Sequence, residues 1–308
     1  MLFYRYFEKW ITDYKIGNIR NVTLQKYYSH LKSLSEIAKD VQLDDLNRAT
    51  YQNIINKYAE THEIITTRDF HTHLKSCILD ALDEELITKD PTKKVIIKEN
   101  SLKEKKQKKQ KYLSQFESQC LIRTLRLENE INLDYLIFLL LKTGLRFSEA
   151  IALTPADFNY QKQSISISKT WNYKEKTGFD LTKNKSSIRE VALDLPTFQK
   201  FTKIIQDIPT NEPIFVYGRK CYNLHNSVLN DHLTKKCTEA KIPIIGVHGL
   251  RHTHASLLLA SGVTVASVSK RLGHSNMATT QKVYLHIIKE LENKDNALAL
   301  AAMMNLGG

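Results

Sequence analysis

Five side chains between residues 146 and 284 have types suited to chemistry on an anion. Arg146 and Arg251 can bind phosphate oxygens, because a guanidinium group is planar and permanently charged. His248 and His274 can transfer protons, and Tyr284 carries a phenolic oxygen that can act as a nucleophile. His248 precedes Arg251 by three residues, so the two share one helical face. Taken singly, residues of these types are more often structural than functional.

A metal site is a competing interpretation of the histidines around Arg251. His248 and His252 share a helical face, but His254 points elsewhere, and no carboxylate or cysteine with ligand spacing joins them. The four cysteines are scattered without a CxxC spacing, which indicates a reducing, cytosolic compartment and no disulfide framework. We therefore expect neither a metal nor another cofactor.

The charge balance favours a polyanionic partner. The 308 residues contain 45 Lys+Arg against 33 Asp+Glu, a net charge of +12, which is compatible with nucleic acid. The longest apolar run, residues 135–141, is far shorter than the roughly 20 residues that span a bilayer. Charged residues interrupt the first ten positions, so no signal peptide or membrane association is expected.

The elements that position these residues are predicted to form two domains. Residues 1–97 have the pattern of an all-α domain, because apolar side chains such as Phe3, Phe7 and Trp10 recur at helical spacing. Residues 98–111 hold mostly lysine and glutamine and too few apolar side chains to order by burial, which is typical of a linker. The lysines of this linker could contact phosphates or simply be solvated. The lysines expected to contact DNA phosphates are Lys105, Lys106, Lys108, Lys109 and Lys111.

Residues 112–308 are predicted to be mainly helical with a small antiparallel sheet. Residues 133–142 are apolar enough for a buried helix that ends at Gly144. Residues 164–168 and 188–193 alternate as strands do and could pair across the polar stretch 169–187. Helices follow over 248–260, 265–272 and 277–288, the last with Ser275 or Asn276 as its cap.

Five motifs taken in order are far more specific than any single residue. They are TGLRFSEAIAL, TKNKSSIREVAL, HGLRHTHASLLLASG, LGHSN and TTQKVYLHI. In order and approximate spacing they resemble the tyrosine recombinase (phage integrase) family. The resemblance implies that residues 1–97 are a SAM-like core-binding domain and that residues 112–308 are the tyrosine recombinase catalytic domain.

The resemblance also implies roles for the five side chains. Tyr284 would attack a DNA phosphodiester and form a covalent 3′-phosphotyrosine. Arg146 and Arg251 would bind the non-bridging oxygens. His248 would assist proton transfer around the tyrosine, and His274 would donate a hydrogen bond to the scissile phosphate.

Two further roles come from the same family pattern. A lysine of the β-hairpin serves as general acid to the leaving oxygen; Lys183 is the first choice and Lys185 the alternative. Glu149 resembles the acidic residue that orients an arginine or histidine. Because the phosphotyrosine conserves the energy of the phosphodiester bond, neither ATP nor a divalent metal is expected.

The resemblance implies double-stranded DNA as the partner, bound by two domains that encircle it. It further implies a homotetramer on two synapsed sites in the cytoplasm of a bacterial cell, with accessory DNA-bending or directionality factors as further candidate partners. Residues 289–308 resemble a C-terminal segment that docks on a neighbouring subunit, although packing on their own domain is the alternative.

The leading hypothesis is therefore an integrase of a phage or other mobile element. The alternatives are a type IB-like topoisomerase, a chromosome-dimer-resolving recombinase, and a non-catalytic DNA-binding regulator. A pure regulator has no need of Tyr284, and strand exchange between two sites would distinguish a recombinase from a topoisomerase.

Overall fold

The computed structural model describes residues 1–98, 110–128, 130–175, 177–182, 184–217, 224–282 and 284. The chain forms two compact units, Met1–Gln107 and Lys108–Gly308. Within the described ranges, no helix is both long and apolar enough to cross a bilayer.

The first unit is helical, as predicted. Its helices are α1 (Phe3–Tyr14), α2 (Asn21–Ile37), α3 (Arg48–Thr61) and α4 (Ile64–Asp83). The Asn47 side chain caps α3 by accepting hydrogen bonds from two backbone N–H groups of its first turn. Phe3, Phe7 and Trp10 of α1 are buried in the core, and the Trp10 indole N–H donates to Asp80 Oδ2 at 2.6 Å. This bond joins the first helix of the unit to the fourth.

The second unit combines helices with short strands. The helices are α5 (Gln115–Thr124), α6 (Leu133–Thr143), α7 (Phe147–Ala150), α8 (Leu195–Ile204), α9 (Asn226–Glu239), α10 (Val247–Ala260) and α11 (Val265–Leu272). The strands are β1 (Phe158–Asn159), β2 (Ser164–Ile167), β3 (Lys169–Asn172), β4 (Gly178–Leu181) and β5 (Arg189–Ala192).

The apolar helix α6 is the centre of this unit, and α10 packs against it. Nearly all of its side chains are buried. It ends at Gly144, whose φ of +68° lies in the left-handed region that favours glycine. A Cβ at this position would lie 2.7 Å from His254 Cδ2 of α10, so the glycine also permits a close approach between the two helices.

The predicted pairing of the two alternating segments is confirmed. Strand β2 pairs antiparallel with β5, and β1 pairs on its other edge. The polar stretch between β2 and β5 holds a further antiparallel hairpin, β3–β4, which the sequence did not predict. In this hairpin Trp171 lies opposite Phe179, with ring centroids 5.0 Å apart. Cross-strand aromatic pairs stabilise a hairpin. The other residues of this hairpin are too polar to show a clear strand alternation in the sequence.

The helices after residue 246 follow the prediction closely. α10 and α11 cover the expected segments, and Gly262 and Gly273 adopt φ values of +85° and +69° just beyond their ends. Residues 277–282 and 284 are helical as well. The Asn276 side chain accepts a hydrogen bond from Ala278 N at 2.8 Å, so Asn276 acts as the cap. The predicted remainder of this helix lies outside the described residues.

Candidate active site

Arg251 lies in the interior of the second unit, held by backbone carbonyl groups. It is 3 % exposed, and it donates to Gly144 O at 2.6 Å and to Leu272 O at 2.7 Å. These oxygens belong to the carboxyl ends of α6 and α11, where helix carbonyls carry partial negative charge. Burial, together with the positive charge of Arg146, lowers the pKa of Arg251 to about 9. Arg251 therefore remains a cation at neutral pH.

Arg146 lies beside Arg251 at the start of α7 and is more accessible, with 37 % of its side chain exposed. Its Nη2 donates to Gly273 O at 3.1 Å, the carbonyl next to the one that Arg251 binds. Its Nη1 donates to Glu149 Oε1 at 2.6 Å, and its backbone N–H donates to Glu149 Oε2 at 2.9 Å. The carboxylate thus holds both the backbone and the guanidinium group of Arg146.

Glu149 is itself held by a second arginine that the sequence analysis did not single out. Arg189, on β5, donates to both carboxylate oxygens, at 2.8 and 3.3 Å. Its remaining bonds go to the carbonyl oxygens of Arg271 and Ser187. Burial alone would raise the pKa of Glu149, but the hydrogen bond and charge of Arg189, with the charge of Arg146, bring it below its ordinary value. Glu149 is therefore ionised.

A signal for Arg189 is present in the sequence. In the alternating run of β5, Arg189 falls on the same face as Val191 and Leu193, which are buried. A charged residue on a buried face needs a partner of opposite charge. The pattern thus predicts a buried ion pair, although the partner, Glu149, is far away in the sequence.

His274 follows the glycine that ends α11, next to the carbonyl that Arg146 binds. Its Nδ1 lies 2.7 Å from the hydroxyl of Thr280. Burial and the charges of Arg251 and Arg146 lower the pKa of His274 to about 4. The ring is therefore neutral and has its orientation set by Thr280.

Tyr284 lies against α10. Its ring packs with apolar residues of α10 and α11, including Leu259 and Leu272, and it is 2 % exposed. Burial raises the pKa of Tyr284 to about 12, against the opposing effect of the Arg251 charge. The phenol is therefore protonated at neutral pH.

The hydrogen-bond partner of the Tyr284 hydroxyl is His252. The hydroxyl oxygen lies 2.9 Å from His252 Nδ1, whereas His248 packs edge-to-face on the His252 ring at 4.7 Å. Burial and the neighbouring charge of Arg251 lower the pKa of both histidines, that of His252 to about 4. From the sequence, His252 was a candidate only as a metal ligand, although the helical spacing that it shares with His248 was a signal for a place at the site.

The lysine positions are described only in part. Lys183 lies outside the described residues, and the same holds for Lys105, Lys106, Lys108, Lys109 and residues 289–308. Lys185 begins a 3₁₀ turn, Lys185–Ser187, directly before β5. Lys111 is exposed. Among the described residues, no group of three or more His, Cys, Asp or Glu side chains could hold a metal ion.

The structure therefore brings two arginines, three histidines and a tyrosine to one region of the second unit. They are Arg146, Arg251, His248, His252, His274 and Tyr284, with Glu149 and Arg189 behind Arg146. The arginines supply positive charge for a bound anion, the neutral histidines can exchange protons, and the phenol supplies a nucleophilic oxygen.

Comparison with known proteins identifies similar chains. A family model described as the phage integrase family matches residues 111–290, which is more than half of the chain. The integrase of Staphylococcus phage L54a is 23 % identical over 96 % of this chain and 91 % of its own length. A tyrosine recombinase XerC-like protein of Caldanaerobacter subterraneus subsp. tengcongensis is 25 % identical, over 94 % and 80 % respectively.

A solved structure shares the fold. The Tn1549 transposon integrase, determined in complex with a circular intermediate DNA, superposes with a TM-score of 0.76. The match covers 92 % of this chain and 94 % of that one, at 18 % sequence identity. At this identity the likeness concerns the fold, which includes both the helical first unit and the mixed second unit.

Proposed function

The chain belongs to the phage integrase family, and on that premise we propose that Tyr284, Arg146 and Arg251 form its catalytic centre. The family and the integrase relatives identify the chain as a site-specific tyrosine recombinase of a mobile element, an enzyme that cleaves and rejoins DNA.

In the proposed reaction, the Tyr284 oxygen attacks the scissile phosphorus and displaces the 5′-oxygen of the DNA strand. The product is a 3′-phosphotyrosine, which a 5′-hydroxyl can attack in turn to rejoin the strand. Two guanidinium groups, from Arg146 and Arg251, offset the charge that develops on the non-bridging oxygens. Pre-positioned charges of this kind each contribute roughly 10²–10³ in rate, or about 3–4 kcal/mol.

The remaining roles follow from position and protonation. His274 is proposed to donate a hydrogen bond to the phosphate, since Thr280 orients its ring beside Arg146. His248 is proposed to assist proton transfer near the tyrosine, and Glu149 to orient Arg146. Lys183 is proposed as the general acid for the 5′-oxygen, with Lys185 as the alternative, because both lie between strands β4 and β5.

One observation carries this proposal. The two arginines bind consecutive backbone carbonyls, Leu272 O and Gly273 O, at the end of α11. Their guanidinium groups are therefore neighbours although they come from different helices. The Tyr284 phenol is also close to Arg251, because the Arg251 charge opposes the rise that burial causes in the pKa of Tyr284. A nucleophile with two anion-binding cations beside it supports a metal-independent phosphoryl transfer in which a lysine supplies the proton for the leaving oxygen.

The partner is proposed to be double-stranded DNA carrying specific sites. The net charge of +12 supports this, as does the Tn1549 integrase, whose structure contains DNA. We assign residues 1–97 to core-site binding, 98–111 to a lysine-rich linker that contacts phosphates, and 112–308 to catalysis. The tail over residues 289–308 is proposed to dock on a neighbouring subunit.

Exchange between two duplexes requires four strand cleavages, so a homotetramer on two synapsed sites is proposed as the working assembly. DNA-bending or directionality factors would set the direction of the reaction. The proposed place of action is the bacterial cytoplasm, where the DNA substrate lies. The alternatives, a type IB-like topoisomerase, a chromosome-dimer-resolving recombinase and a non-catalytic regulator, are not favoured, since the relatives include a phage integrase and transposon proteins.

The nucleophile is tested with a suicide DNA substrate that has a nick beside the cleavage site. Loss of the short cleaved fragment traps the covalent intermediate, so the native protein should accumulate a protein–DNA adduct visible on a denaturing gel. Tyr284→Phe should form none while still binding the site, because only the attacking oxygen is removed. An adduct with Tyr284→Phe, or no adduct with the native protein, would refute the assignment.

A further inference from the structure

The contact between Tyr284 and His252 has no role in the catalytic assignment made above. The phenolic oxygen lies 2.9 Å from His252 Nδ1, within ordinary hydrogen-bond distance. The two rings meet at a steep angle, with centroids 5.8 Å apart. The atom that must lose a proton during attack therefore already faces a ring nitrogen.

His252 is held firmly in this position. It follows Arg251, whose guanidinium group is fixed by two carbonyls, and the His248 ring packs edge-on against it one helical turn earlier. The Tyr284 ring is packed against apolar side chains of α10 and α11. Both partners of the hydrogen bond are thus positioned by their surroundings rather than by each other.

The charge state of His252 suits an acceptor. The groups facing it are His248, Arg251 and Lys111, and together with burial they lower the pKa of His252 to about 4. At neutral pH the ring carries one proton, and with that proton on Nε2 the Nδ1 atom accepts the phenolic hydrogen. A protonated His252 would have no lone pair for this purpose.

We propose that His252 accepts the phenolic proton of Tyr284 during DNA cleavage, a role that rests on Tyr284 being the nucleophile. As the Tyr284 oxygen forms its bond to phosphorus, the O–H proton moves to His252 Nδ1 and gives an imidazolium. The bond from phosphorus to the 5′-oxygen breaks, and that oxygen takes a proton from the hairpin lysine. In rejoining, each proton returns: the 5′-hydroxyl gives its proton to the lysine, and the departing Tyr284 oxygen takes one from His252.

The large difference in resting pKa does not prevent this transfer. A phenol becomes much more acidic while its oxygen is bonding to phosphorus, because electron density leaves that oxygen. The negative phosphate also favours the imidazolium and offsets the charges of Arg251 and Lys111. His252 is a weak base, but it is already in contact with the hydroxyl, so it can accept the proton in the transition state of the attack.

Three variants separate proton acceptance from simple positioning. His252→Asn places an amide oxygen near the position of Nδ1, so it can accept the hydrogen bond but cannot take the proton. His252→Phe retains ring volume and removes the acceptor. His225→Asn is the matched control, since His225 is a partly buried histidine at the start of α9 that has no part in the proposed chemistry. DNA affinity and thermal unfolding are measured for each, and if His252→Asn does not fold, the cleavage and rejoining rates of His252→Phe are held to the same limits.

The assay measures single-turnover cleavage of the nicked substrate and rejoining of the isolated covalent complex. We expect His252→Asn to slow both steps about a hundredfold, the scale of general acid–base catalysis, with His252→Phe at least as slow and His225→Asn unchanged. A cleavage loss below tenfold for His252→Asn overturns the proposal. So does a rejoining rate within threefold of the native rate, because in the covalent complex the tyrosine no longer needs positioning.

The two proposals fail in different ways. If Tyr284→Phe abolishes the adduct but His252→Asn cleaves and rejoins normally, only the role of His252 is refuted. If Tyr284→Phe still forms the adduct, the nucleophile assignment fails and the role of His252 fails with it. His248 packs on the His252 ring and was proposed above only to assist proton transfer. His248→Asn in the same assay tests whether His248 is instead the direct acceptor, and a loss confined to His248→Asn would overturn the role of His252.

Discussion

Glu149 is a buried carboxylate that binds two arginines from distant parts of the chain. It is 1 % exposed and receives hydrogen bonds from Arg146 and from Arg189. Arg189 is buried, whereas Arg146 is more exposed. Because both arginines bind the same carboxylate, the buried Arg189 fixes Glu149, and Glu149 in turn orients Arg146. We interpret Arg189 as the residue that keeps Glu149 ionised and in place, so that Arg146 has a defined position before substrate arrives.

Arg189→Met tests this interpretation through stability. Removing one partner of a buried charge pair leaves the carboxylate partly uncompensated, and we expect the free energy of unfolding to fall by about 3 kcal/mol. Urea unfolding at neutral pH measures the change. Arg123→Met, at an exposed position of α5, is the control and should stay within about 0.5 kcal/mol of the native protein.

The pH dependence of this effect has a defined sign. The pKa of Glu149 is lowered in the folded chain, so its contribution is present above the unfolded pKa and is lost as pH falls through the folded one. The difference between the native protein and Arg189→Met should therefore shrink in acid. A double variant, Glu149→Leu with Arg189→Met, should be more stable than Arg189→Met alone; an equal or larger loss would contradict the role of the buried charge.

At the scale of elements, the ends of two helices form the base of the site. The carbonyl of Gly144 lies at the end of α6, and those of Leu272 and Gly273 lie at the end of α11. Together these carbonyls accept hydrogen bonds from Arg146 and Arg251, the two arginines proposed to be catalytic. Gly144 further allows α10 to approach, since a Cβ there would meet His254 and Leu272 at 2.7 and 2.9 Å. The carbonyls left unpaired where α6 and α11 end are thus the same groups that position the two arginines.

Gly144→Ala should be more destabilising than a glycine substitution that introduces only backbone strain. Gly262 is the matched control, because its φ of +85° is also left-handed but no atom lies within 4 Å of its would-be Cβ. We expect a cost of about 1–2 kcal/mol for Gly262→Ala and a further 1–3 kcal/mol or so for Gly144→Ala from overpacking. Equal losses in urea unfolding would show that the close approach is unimportant.

At the scale of the whole molecule, the excess of positive charge is the property that bears on the proposed binding of DNA. The excess of positive residues is spread along the chain and is densest over residues 98–111, which hold seven lysines against two glutamates. We proposed above that these residues form a linker whose lysines neutralise phosphates. Affinity for DNA should then depend strongly on counterion release.

The salt dependence of DNA binding tests the linker. The logarithm of the binding constant should fall linearly with the logarithm of salt concentration, by about 0.9 per phosphate contact. Lys105→Gln with Lys106→Gln should reduce this slope by up to about 1.8 if both lysines contact phosphates. Lys200→Gln with Lys203→Gln on α8 makes the same change in net charge and should leave the slope unaltered. An unchanged slope for the linker variant would mean that its lysines are only solvated.

The sequence alone determined the order of the motifs, the helical and strand segments and the family resemblance. Helix periodicity, capping residues and strand alternation act over a few neighbouring residues, so α6, α10, α11 and the β2–β5 pairing could be predicted locally. The β3–β4 hairpin was missed, because its stability depends on a cross-strand pair, Trp171 and Phe179, rather than on a local pattern.

Only the tertiary structure decided which side chains meet across the site. His248 and His252 share one face of α10, so helical spacing cannot say which of them faces Tyr284; the packing of the last described helix against α10 selects His252. The pairing of Arg189 with Glu149 likewise requires β5 to lie beside α7. Contacts between residues distant in the chain depend on the packing of whole elements, which no local pattern encodes.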